Sequence, residues 1–110
     1  MTTFNKGDII LIPFPFTDLS ATKQRPALIV SSNWFNHQSS DLIVMAITSQ
    51  IPSQISEVEY LLSPPDQMSS GLPRRSIIKL GKIVTINQNL IRKRLGKLPE
   101  QTLSFNYVQF

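Results

Sequence analysis

The run Lys23-Gln24-Arg25-Pro26-Ala27-Leu28-Ile29-Val30-Ser31-Ser32 takes the chain from a polar loop into the core within ten residues. Pro26 fixes its own φ and holds the residue before it in an extended conformation. Ala27 to Val30 is short and wholly apolar, the pattern of a buried strand. Arg25 is thus expected at the mouth of a core strand, its guanidinium turned outward. An arginine in front of a strand is often only a solvated loop residue, and taken alone this one reads that way. Its neighbours in the sequence change the balance.

Upstream, Gly7-Asp8 reads as a turn and Ile9 to Ile12 as a first buried strand. Pro13-Phe14-Pro15-Phe16-Thr17-Asp18-Leu19 follows. Two prolines at alternate positions do not suit a central strand, so this segment is expected to be a stiff, irregular loop. Ser20 to Gln24 is its polar end. Downstream, Asn33 to Ser40 is polar with two aromatics, a loop or one helical turn. Asp41 opens a third buried strand, Leu42 to Ile47, ending in Thr48-Ser49-Gln50. Ile55 to Tyr60 alternates like a strand with one wet face. Ser63 to Gln67 and Ser69 to Pro73 read as breaker clusters. Ser76 to Leu80 and Ile83 to Ile86 read as two short strands, with Gly81 marking a bend or bulge. Leu90 to Leu98 fits a helix or a strand, since Gly96 weakens the helical reading. Pro99-Glu100 suits the first turn of a terminal helix with Leu103, Tyr107 and Phe110 on one face. Six or so short strands with proline-rich loops point to a mainly β fold, a small curved sheet or barrel.

The 110 residues are 41% hydrophobic and 16% charged, which suits one globular domain over 1–110. The chain has no cysteine, so disulfides and thiolate metal sites are excluded, and a reducing cytoplasm is compatible. No apolar run approaches membrane length and the N-terminus has no signal-peptide core. The net charge of +4 is modest, but its distribution is sharp. Arg74, Arg75, Lys79, Lys82, Arg92, Lys93, Arg94 and Lys97 are eight of the eleven basic residues, in a segment without Asp or Glu. Such a segment suits a phosphate backbone, or is a solvated basic surface.

Gly7-Asp8-Ile9-Ile10, Arg25-Pro26-Ala27-Leu28-Ile29-Val30-Ser31, Ile47-Thr48-Ser49-Gln50 and Lys82-Ile83-Val84-Thr85-Ile86, in this order, resemble the MazF/PemK/Kid family. The resemblance spans nearly the whole chain. It implies an SH3-like barrel of the CcdB/MazF/PemK type with a short C-terminal helix. It also implies a cytoplasmic homodimer that cleaves single-stranded RNA without a metal or other cofactor, and a cognate antitoxin that neutralises it. By position, Arg25 matches the family's catalytic arginine and Thr48 its catalytic threonine. Where Gly81-Lys82 stand, many members have an acidic residue and a glutamine, and many have a basic residue in place of Val84.

RNA cuts itself when its 2′-OH attacks the adjacent phosphorus, giving a 2′,3′-cyclic phosphate and a 5′-OH. A protein that promotes this aligns the attack, stabilises the equatorial oxygens and supplies a proton to the leaving oxygen. The planar fork of Arg25 can pair two phosphate oxygens. Thr48 can donate its hydroxyl to the same phosphate, or simply cap a turn. Ser49 and Gln50 add donors beside it. Phe16 is expected to stack on a base, Arg74, Arg75, Lys79 and Lys82 to track the backbone, and Asp18 and Lys23 to complete the expected RNA contacts. His37 is the single histidine, which excludes a two-histidine ribonuclease mechanism. With one His and no Cys, a protein-built transition-metal site is not expected. Two other readings use the same residues: a non-catalytic SH3-like module for RNA or an acidic peptide, and a toxin of this fold aimed at DNA gyrase. The Arg25–Thr48 pair favours the ribonuclease over the gyrase-directed toxin; cleavage of a short RNA in EDTA separates it from the binding module.

Overall fold

The computed structural model describes residues 3–14 and 23–107. It is mainly β. Six strands form one antiparallel sheet: β1 (Asp8–Phe14), β2 (Lys23–Ile29), β3 (Asp41–Thr48), β4 (Glu59–Leu61), β5 (Ile77–Asn87) and β6 (Lys93–Lys97). Their order across the sheet is β4-β5-β3-β2-β1-β6. Three short helices complete the described chain: α1 (Asn33–Gln38), α2 (Pro64–Ser70) and α3 (Glu100–Tyr107).

Each inner strand is apolar on both faces, so the sheet carries two cores. One gathers Ile9, Leu28, Met45, Ile47, Leu62, Ile78, Leu80, Leu98 and Leu103. The other gathers Ile10, Ile12, Ala27, Ile29, Leu42, Val44 and Ile86, with Phe4, Leu90 and Ile91 packed against it. Burial of each Ile or Leu removes enough apolar surface to contribute about 1.5–3 kcal/mol before entropic costs. This explains why β1, β2 and β3 read as continuous apolar runs, without the alternation of a one-sided sheet.

The sheet does not close edge to edge among the described residues. Helix α2 follows β4 at one edge and packs on β6 at the other. The contact is backbone on backbone. A Cβ on Gly96 would lie 2.4 Å from the Ser69 carbonyl oxygen, and one on Gly71 would lie 1.9 Å from the Leu95 carbonyl oxygen. Gly71 also caps α2 with φ 73°, the left-handed conformation that glycine adopts without penalty. The buried Asp66 carboxylate fixes the other side of α2. It accepts from the Tyr60 hydroxyl on β4 (2.7 Å) and the Thr102 hydroxyl on α3 (2.8 Å).

Several expectations change. Strand β2 begins at Lys23 and ends at Ile29, so Lys23 and Gln24 are ladder residues and Arg25 lies inside the strand, opposite Ile12. Pro13 lies in β1 opposite Gln24, beyond the last β6 pair at Leu11, where β1 has one neighbour only. The expected strand from Ile55 shrinks to Glu59–Leu61, because residues 55–58 stay exposed and turn through a Glu59 N–H donated to the Ser56 carbonyl (3.1 Å). The breaker cluster Ser63 to Gln67 instead starts α2. Ser63 accepts the Asp66 N–H as N-cap, and Pro64 and Pro65 occupy the first positions, where no N–H partner exists. Ser69 and Ser70 also belong to α2 rather than to a breaker. The strands expected on either side of Gly81 are one strand, β5. Its register against β3 slips between Ala46↔Lys79 and Met45↔Ile83, so Gly81 sits in a bulge. Leu90 to Leu98 resolves as the end of a 3-10 turn and β6, with no α-helix. Leu103 of α3 is buried, while Phe110 and the Tyr107 side chain lie outside the described part.

Candidate functional site

Strands β2 and β3 pair in antiparallel register, with Ala27 facing Ala46, Leu28 facing Met45 and Ile29 facing Val44. Carried two residues outward, that register brings Arg25 beside Thr48. The ladder itself stops at Ala27, next to Pro26, which has no N–H to give. Beyond that point opens a groove of about 320 Å³. Arg25, Pro26, Thr48 and Ser49 line it with Arg74 and Ser76, over an apolar floor that includes Leu11, Ile47 and Leu95.

Thr48 ends β3, and its hydroxyl oxygen accepts the Gln50 N–H at 3.1 Å. The turn-capping role foreseen for it is therefore real. It is also compatible with chemistry, because the hydroxyl proton remains available to an acceptor in the groove. Arg74 and Ser76 come from the loop after α2, whose end is fixed at the Gly71–Gly96 contact. Arg74 is expected from the sequence as a backbone-tracking cation beside Arg75, Lys79 and Lys82; its place in this groove depends on α2 folding back across the sheet edge. No Asp, Glu or His is among the groove's described lining residues. The site can therefore offer anions two guanidinium groups and hydroxyl donors in a partly apolar setting.

The other expected contacts scatter. Phe16 and Asp18 lie outside the described residues. Lys23 is exposed at the start of β2, and Gln50 is exposed one residue past Ser49. Arg75 is exposed but does not line the groove. Lys79 is engaged on β5 by Glu59 at 3.5 Å. The Ser56 backbone N–H, chiefly, holds the Glu59 carboxyl below its ordinary pKa; burial opposes this, and the Ser56 hydroxyl and Lys79 reinforce it. Lys82 is exposed in the β5 bulge. Arg94 on β6 reaches the buried Asp8 carboxylate at 3.3 Å. Within the sheet the basic run is divided, since β3, β2 and β1 lie between β5 and β6. His37 sits in a second surface hollow with its ring nitrogen 3.3 Å from the Asn5 side chain.

Residues 5–104 match the model of a protein family described as the PemK-like, MazF-like toxin of type II toxin–antitoxin systems. No curated protein matches the chain significantly. Among solved structures, the chain is similar to a mycobacterial endoribonuclease in complex with its cognate antitoxin, at 18% identity and TM-score 0.70 over 94% of this chain and 85% of that one. It is similar to the MazE–MazF complex of Deinococcus radiodurans, at 16% identity and TM-score 0.72 over 94% and 88%. The Mycobacterium tuberculosis toxin MazF-mt6 aligns at 19% identity and TM-score 0.66 over 86% and 82%. At these identities the likeness establishes a shared fold.

Proposed function

Since the chain belongs to the PemK-like, MazF-like toxin family of type II toxin–antitoxin systems, we propose that it is an endoribonuclease toxin that cuts single-stranded RNA at the groove between β2 and β3. One observation carries this reading: Arg25 and Thr48, the two residues that match the family's catalytic pair, line the same groove from adjacent strands. Arg25 clamps the non-bridging oxygens of the scissile phosphate as negative charge builds on them. Thr48 donates its hydroxyl to the same phosphate, while its oxygen stays held by the Gln50 N–H. The 2′-oxygen forms a bond to phosphorus as the bond to the 5′-oxygen breaks. The 2′-OH gives its proton to water and the leaving 5′-oxygen takes one from water, so the protons balance. The strand-borne Arg25 and Thr48 contribute by pre-arranged charge and alignment, which is how such a transition state is most readily stabilised.

The partners proposed with this activity are single-stranded RNA, a cognate antitoxin and a second copy of the chain, in the cytoplasm, with residues 1–110 forming one toxin domain. The mycobacterial and deinococcal neighbours were solved with antitoxins, which supports the second of these. No described helix is long and apolar enough to cross a membrane.

The test is cleavage of a short fluorescent RNA in EDTA, with analysis of both new ends. A 2′,3′-cyclic phosphate and a 5′-OH are expected. RNA that is bound but stays intact would instead identify a binding module, and 5′-phosphate ends would exclude 2′-OH attack.

A further inference from the structure

The backbone of groove residue Arg74 is tied by Gln67, a side chain outside the groove. Gln67 on α2 donates its amide N–H groups to the Leu72 carbonyl (3.2 Å) and the Arg74 carbonyl (2.7 Å), and its amide oxygen accepts the Ser76 N–H (3.2 Å). Ser76 adds a second tie, its hydroxyl donating to the Arg74 carbonyl at 2.8 Å. A loop of this length normally samples many conformations, and ordering it costs backbone entropy. Here one amide holds it at three backbone points, and only an amide supplies both the donors and the acceptor. Gln67 is itself held, because α2 is anchored through Asp66 at one end and through the Gly71–Gly96 contact at the other. With the Leu72 and Arg74 carbonyls engaged by Gln67, the Arg74 side chain joins Leu72 and Pro73 along the groove, while Arg75 is left out of it.

The groove therefore has two cationic stations. One is Arg25 beside Thr48, on the strand ends. The other is Arg74 beside Ser76, on the α2 loop, with an apolar floor that suits a ribose or base face. Two guanidinium groups carried on ordered backbone along one channel fit a polyanion with successive phosphates better than a single phosphate. We propose that Arg74 binds the phosphate adjoining the scissile one, and that Gln67 is the positioning residue that holds Arg74 there. This rests on the endoribonuclease reading above.

The experiment uses the full chain and an RNA that it cuts, with the cleavage site first mapped by end analysis. Steady-state cleavage is measured over a salt series for the parent, Arg74→Ala, Gln67→Ala and the double variant. Losing one charged contact should raise KM about tenfold with kcat within about twofold. The log–log salt slope of the Arg74→Ala variant should flatten by about 0.7, one phosphate contact on a single strand. Gln67→Ala should follow Arg74→Ala in KM and slope, and should add little on top of it, as expected for residues acting through one contact. An RNA with an uncharged methylphosphonate at the adjoining linkage should cost the parent the same tenfold and the Arg74→Ala variant nothing. Because Arg74 is exposed, its variant is expected to fold. If Gln67→Ala melts early, Gln67→Glu provides the second test: its carboxylate keeps the Ser76 N–H but repels both carbonyls, so KM should still rise. A parent that leaves every RNA intact overturns the endoribonuclease reading itself. A parent that cuts, with KM and salt slope unmoved by Arg74→Ala, overturns the adjoining-phosphate site alone. An Arg74 effect that Gln67→Ala and Gln67→Glu fail to reproduce overturns the positioning role.

Discussion

Arg25 combines exposure with rigidity. It is the third residue of β2, laddered to Ile12 on one side and followed by Pro26 on the other. The backbone that carries this guanidinium needs no reordering to meet a phosphate. Arg25→Ala should lower single-turnover cleavage by roughly 10² to 10³, or about 2.7–4 kcal/mol of barrier. Its melting temperature should stay near the parent's, since exposed substitutions usually cost within about 0.5 kcal/mol. Arg25→Lys should recover little, because an ammonium cannot make the two-pronged contact. A folded Arg25→Ala protein that cuts at the parent rate would remove Arg25 from the chemistry. Thr48 has two jobs. Thr48→Ala should slow cleavage less than Arg25→Ala and also cost about 0.5–1.5 kcal/mol of stability, through the lost Gln50 N–H acceptor. Thr48→Ser keeps the hydroxyl and should retain both properties; if Thr48→Ser is as slow as Thr48→Ala, the hydroxyl is not the active group.

Helix α2 decides the shape of the site although none of its own residues lines the groove. Its C-terminal end lies so close to β6 that Gly96 has no room for a side chain. The atoms in the way are backbone atoms of Ser69 and Ser70, which cannot rotate aside. Gly96→Ala should therefore cost roughly 1–3 kcal/mol by overpacking, and lower the melting temperature by about 5 °C or more. Cleavage should weaken with it, as α2 carries Leu72 and Arg74 away from Leu95. Gly81 is the contrast. A Cβ there meets nothing within 4 Å, so Gly81→Ala should leave melting and cleavage unchanged. Equal effects of the two substitutions would refute the close-packing argument for Gly96.

At the scale of the whole molecule, the described surface shows large apolar side chains that no single core absorbs. Trp34 on α1 is 72% exposed, Met68 on α2 85%, Val58 51% and Ile83 48%. Association with a second copy would remove part of this area from water, in keeping with the proposed homodimer. Light scattering at micromolar concentration should give twice the 12.4 kDa of one chain, and a mass of 12.4 kDa would count against the dimer. The charge is likewise distributed by the fold. Lys79 is paired with Glu59 and Arg94 with Asp8, while Arg74 lines the groove.

The sequence by itself determined the inner strands. Ile9–Ile12, Ala27–Ile29 and Leu42–Ile47 are apolar on both faces, and only a sheet covered on both sides can bury them. The resemblance to a family singled out Arg25 and Thr48, but that they line one groove depends on the register of β2 against β3, which no local pattern gives. The Ser63-Pro64-Pro65-Asp66 helix start was also written in the sequence, as an N-cap followed by prolines, although the prolines read first as breakers. Tertiary structure alone decided the rest. Whether Ile55–Tyr60 is strand depends on which residues find a partner on β5, and only Glu59–Leu61 do. Whether Gly96 ends a helix or receives one depends on where α2 lands. The run from Arg74 to Lys97 is one line of charge in sequence, but β5 and β6 lie three strands apart. Local pattern fixes which faces of a segment must be buried; contacts between residues distant in sequence fix which charges share a groove, and that depends on strand order and on the approach of one backbone to another.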